Sequence, residues 1–105
     1  MTVVVTRDVA DRFRGFLASC MLEIAPGVYT SPKMNRAVRE RIWTVLEEWF
    51  TELGGSGIVM TWLEPLASGS QQIRILGSPP YELYELDGVF LARKRPLSLA
   101  DDEDE

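Results

Sequence analysis

The chain has no histidine and one cysteine, Cys20, in 105 residues. Without histidine there is no Ser-His or Cys-His couple, no imidazole general base and no histidine-bearing zinc site. A lone cysteine rules out an internal disulfide, and Cys20, at helical spacing from Phe16 and Leu17, reads as a small buried hydrophobe. No apolar run nears the roughly 20 residues of a membrane span, and the start MTVVVTRD lacks the basic, apolar and small-residue layout of a secretory leader. The expected location is the cytoplasm, with no membrane partner. Any chemistry falls to carboxylates, hydroxyls, lysines or a bound metal.

What is present is an ordinary globular balance, 46% hydrophobic against 26% charged, in a length that builds one core. The net charge of -5 misleads, because all five residues from Asp101 to Glu105 are acidic. Set aside, they leave 11 acidic residues against 11 basic, with the basic ones clustered, so the acidic balance does not exclude nucleic acid. The expected organisation is one domain over residues 1–95 and a solvated, disordered acidic tail over 96–105.

Taken in order, Thr2 to Thr6 reads as a strand whose consecutive valines imply burial on both faces. Asp8 reads as the N-cap of a first helix running to about Leu22, with Val9, Phe13, Phe16, Leu17, Cys20 and Met21 on its apolar stripe. Arg12 and Arg14 then fall on opposite flanks of that stripe. Glu23 to Thr30 is extended, and Pro26-Gly27 either bulges it or splits it into two short strands. Ser31 and Pro32 read as the cap and first position of a second helix, apolar from Met34 to Leu53 at the helical period and stopped by Gly54-Gly55. Gly57 to Leu63 is a third strand, Glu64 to Ser70 a loop and Gln71 to Leu76 a fourth strand ended by Gly77 and Pro79-Pro80. Leu86-Asp87-Gly88 is a tight turn into a last strand, Val89 to Arg93.

This order fits an α+β fold: a ferredoxin-like antiparallel sheet with two helices on one face and an extra C-terminal strand. Two helices cover one face only, yet Val3-Val4-Val5 and Ile58-Val59-Met60 present apolar side chains to both. Burying each such side chain is worth about 1.5–3 kcal/mol, so the expectation is a homodimer packed sheet to sheet.

Six short matches then point to a family: VVVT from Val3, R-x-R-G from Arg12 to Gly15, the run through Leu22, Glu23 and Gly27-Val28-Tyr29, RE-x-IW from Arg39 to Trp43, VM-x-W from Val59 to Trp62, and LDG from Leu86. Over residues 2 to 93 they resemble CRISPR-associated protein two, in its type I-E branch. The resemblance implies a homodimer that bridges two dimers of the CRISPR integrase and supports protospacer double-stranded DNA during spacer acquisition. It implies that the C-terminal strand and tail dock on the integrase subunit, that Arg12 and Arg14 contact the DNA backbone, and that a further contact falls at Arg36. The scaffold role requires no cofactor.

The alternative drawn from the wider family is a metal-dependent endonuclease using Mg or Mn. Its catalytic and metal-binding acid would be Asp8, one position after the family's usual place, which Arg7 occupies here. A protein-binding module of some unrelated system, working through the last strand, is the third reading.

Overall fold

A computed structural model describes residues 1–64 and 71–77 in full and the backbone of 70, 81–86 and 89–94. The three valines of the first strand, β1 (Thr2–Arg7), lie at the centre of a five-stranded sheet. The chain continues through α1 (Asp11–Cys20), β2 (Leu22–Ala25), β3 (Val28–Ser31), α2 (Arg36–Leu53), β4 (Gly57–Glu64) and β5 (Ser70–Gly77). The strand order is β2-β3-β1-β4-β5 with every pair antiparallel, which together with the two helices is a ferredoxin-like α+β fold. A separate two-stranded ribbon follows, β6 (Tyr81–Leu86) paired with β7 (Val89–Lys94), and β7 approaches β5.

The Pro26-Gly27 break splits the extended region into two strands. Gly27 turns the hairpin at φ 78°, its N–H donates to the Glu23 carboxylate at 3.1 Å, and its carbonyl accepts from Thr6 N–H at 2.7 Å. A Cβ at Gly27 would stand 2.9 Å from the Thr6 carbonyl oxygen, so only glycine lets the hairpin tip lie this close to β1.

Register divides the sheet's side chains cleanly. Tyr29, Val4, Met60 and Arg74 form one cross-strand row, and Ser31, Thr2, Trp62 and Gln72 the next, both facing the helices. There Val4, Tyr29, Ile58, Met60 and Trp62 pack with Phe13 and Leu17 of α1 and Ile42, Trp43 and Leu46 of α2. The helices lock to each other through Trp49, which meets Phe13 edge-on at 5.8 Å and Phe16 at 5.3 Å. On the opposite face the rows are Val28, Val5, Val59, Ile75 and Thr30, Val3, Thr61, Ile73. Among the described residues no helix covers them; Val5 is 40% exposed and Ile75 37%.

Several sequence expectations are corrected. Asp8 is not the N-cap of α1; Ala10 occupies that position with no side-chain hydrogen bond, and the helix ends at Cys20 rather than Leu22. The Asp8 carboxylate is taken by Ser56, whose hydroxyl donates to it at 3.0 Å while Ser56 N–H donates to the Asp8 carbonyl at 3.2 Å. Asp8 is held there at φ 49°, a conformation aspartate tolerates better than most residues. Ser31 is the last residue of β3 and not a cap; Asn35 caps α2, its side chain accepting from Val38 N–H at 2.8 Å. Cys20 is exposed while its neighbour Met21 is buried, and its thiol donates to the Phe16 carbonyl. No strand is expected from the sequence between the fourth strand and the last one, yet β6 (Tyr81–Leu86) lies there. Pro65–Gly69, the Asp87-Gly88 turn and the acidic tail lie outside the described residues.

Candidate nucleic-acid interface

The two sequence-predicted arginines of α1 take separate supports. Arg12 lies with its guanidinium carbon 4.2 Å from the Trp49 ring centroid, so its apolar side is covered and its charge faces outward. Arg14, on the other flank, stands 3.8 Å from Glu23 and 4.0 Å from Asp11. Its pKa is raised, first by the neighbouring Tyr29 hydroxyl and then by the charges of Glu23 and Asp11. The Tyr29 hydroxyl is itself buried with no well-formed hydrogen bond among the described residues, and burial pushes its own pKa up while Arg14 draws it down. Both arginines stay exposed to solvent.

Asp8 and Arg14 line one cleft of about 300 Å³ with Thr6, Val9, Pro26 and Gly27. As a metal site this is a thin donor set. One carboxylate, already accepting from Ser56, shares its cleft with a guanidinium. Among the described residues no three of His, Cys, Asp and Glu converge in a way that could hold an ion. A divalent cation within one subunit does not fit these residues.

Arg36 is not brought to the α1 arginines. The α2 helix begins near the Thr2 end of β1 and returns to the Asp8 end, where Trp49 meets α1, so Arg36 lies about 20 Å along the helix axis from the Trp49 ring that Arg12 covers. Around it is a second cleft, of about 380 Å³, which sequence reasoning missed. Arg39 is 7% exposed there, its guanidinium carbon 4.3 Å from the Trp62 ring centroid. Arg74 reaches over from β5, 5.1 Å from the same ring, and its two terminal nitrogens donate to the two oxygens of Glu40 at 2.8 Å each. That pairing lowers the Glu40 pKa, Arg74 acting first and the charges of Arg39 and Arg36 adding to it against some desolvation. One clue lay in the sequence: Arg39 is spaced three and four residues before Ile42 and Trp43, on the core stripe. The other half of the cleft depends on the β4–β5 register, which places Gln72 opposite Trp62 and Arg74 opposite Met60.

Exposed arginines at both ends of the helix layer can hold phosphates without reading base sequence. Among the described residues no helix is long and apolar enough to cross a membrane. Comparison with known families finds that the model of the family described as CRISPR-associated protein (Cas_Cas2CT1978) matches residues 1–91.

Proposed function

The chain belongs to this CRISPR-associated family, and so to CRISPR defence, and from that premise we propose that it is a DNA-binding scaffold subunit of spacer acquisition, of the type I-E kind. In this reading two copies pack sheet to sheet, bridge integrase dimers through the C-terminal strand, and support protospacer duplex on their helix layers. The observation that carries it is the state of Arg12 and Arg14. One is stacked on Trp49 and the other braced by Glu23, so both guanidinium groups are positioned before any ligand arrives. Preorganised cations lose less side-chain entropy on meeting a phosphate, and a two-fold dimer repeats them along the duplex.

The test is a salt titration of duplex binding. Each phosphate contact contributes about 0.9 to the slope of log K against log salt. Arg12→Ala with Arg14→Ala removes two contacts per subunit, so a dimer's slope falls by about 3.6 in magnitude, with weaker binding at low salt on every sequence tried. An unchanged slope, or binding insensitive to salt, sinks the reading. The same preparations incubated with duplex or RNA and Mg²⁺ address the hydrolytic alternative, since cleavage lost in Asp8→Asn would transfer the assignment to it.

A further inference from the structure

At the start of α2, charges of one sign are gathered rather than dispersed. The amino end of a helix carries the positive end of its dipole, and acids are favoured in its first turn. This first turn has none; it begins with Arg36, and Arg39 follows within a turn. Arg39 is buried, and its Nε has no hydrogen-bond partner among the described residues. The nearest carboxylate, Glu64, is 3.7 Å from its Nη2 and already accepts the Trp62 indole N–H at 3.2 Å. Glu40 is committed to Arg74. Three guanidinium groups thus face two engaged carboxylates, and a buried guanidinium short of acceptors is a standing demand for another anion.

The chain carries a matching anion outside its family core. The family match stops at residue 91, whereas the chain ends in the five consecutive acids Asp101 to Glu105. The described ribbon ends at Lys94, on the strand that approaches β5, and β5 carries Arg74. Seven to eleven further residues span at most roughly 25–40 Å, a length comparable with the roughly 27 Å of β5 itself, so a tail leaving the ribbon near β5 is long enough to bring these carboxylates to the cleft. The Glu40–Arg74 pair already displays the two-pronged carboxylate–guanidinium geometry that this site accepts.

We infer that the cleft between the first turns of α2 and the β4–β5 pair binds carboxylates of an acidic peptide, and that its occupant is the chain's own Asp101–Glu105 run, from the same subunit or a second copy. Tethering raises the local concentration of the tail to the millimolar range, so individually weak contacts suffice. Nucleic acid approaching Arg36 must displace the tail. That competition rests on the proposed DNA-binding role; the docking itself does not.

The test compares the full chain with one ending at Ala100, with a peptide of residues 97–105 added in trans, followed by tryptophan emission in the absence of nucleic acid. The peptide is expected to bind the shortened chain saturably and the full chain much less, and to be released above about 0.5 M salt. Arg36→Glu, at an exposed position, should weaken it roughly tenfold with the circular-dichroism spectrum unchanged. In duplex binding at low salt the shortened chain should be about 3- to 10-fold tighter than the full chain, the peptide restoring the difference. No peptide binding, or binding indifferent to Arg36→Glu, overturns the inference. So does a shortened chain whose Trp62 cleft answers to duplex or inorganic phosphate but not to the peptide. Peptide binding that depends on Arg36, with neither form binding duplex, upholds it and removes the DNA reading instead.

Discussion

Arg39 illustrates how a single charge is kept inside this protein. Its guanidinium lies over the Trp62 ring, which receives the cation on its electron-rich face and supplies attraction without a full carboxylate partner. The neighbouring Glu40 has the opposite problem and a fuller solution, both oxygens accepting from Arg74. Because its folded pKa is depressed, the pair's contribution is complete above the unfolded carboxylate value of about 4.3 and is lost as pH falls through the lower folded value. Both side chains are partly solvated, which limits that contribution to under about 1 kcal/mol. Glu40→Gln should therefore lower the urea midpoint modestly at pH 7, and the gap to the parent should shrink once the pH drops below about 4. A gap that persists at pH 2 to 3 would assign the effect to packing rather than charge.

At the scale of elements, period and punctuation announced β1, α2, β4 and β5 to within a residue or two at most ends, because each carries an apolar pattern, with glycine closing α2 and β5 and opening β4. The helix starts were misread for one reason: a capping side chain is recognised by its neighbours in space. Asp8 looks like a cap until Ser56, 48 residues away, takes its carboxylate. Ser31-Pro32 looks like one until β3 pairs Ser31 with Thr2 and pushes the start of α2 to Asn35. Asn35→Ala should cost about 1 kcal/mol in chemical unfolding, and Ser31→Ala should stay within about 0.5 kcal/mol. The reverse ranking would mean that the helix begins where the sequence suggested. In the candidate site, Arg12, Arg14 and Arg36 were legible as charges. That Arg14 and Arg36 line two clefts at opposite ends of the helix layer, with Arg12 on the Trp49 ring, was not, since the sequence does not state how α2 crosses the sheet.

For the whole molecule, the uncovered sheet face is the largest unanswered feature of one subunit. Val28, Val5, Val59 and Ile75 form an apolar row straight across four strands, with Leu63 at 58% exposed beyond it. Burial of such a continuous apolar face is favourable, and in the proposed homodimer a second copy supplies it. Val5→Lys with Ile75→Lys should convert a dimer in light scattering to a monomer, the helical spectrum being kept because neither side chain enters the helix-side core. A parent chain that is monomeric at micromolar concentration would remove the sheet-to-sheet arrangement. The tie between Asp8 and Ser56 bears on time rather than on structure. The β2–β3 hairpin and both helices are local, but this tie and the β1–β4 pairing close a long stretch of chain, and such closures are entropically slow to form. Contacts completed after the folding barrier set the escape rate from the native state, and we propose this for the Asp8–Ser56 corner: Ser56→Ala should speed unfolding and leave the folding rate unchanged in stopped-flow denaturant jumps, whereas slowed folding would place the tie within the barrier itself.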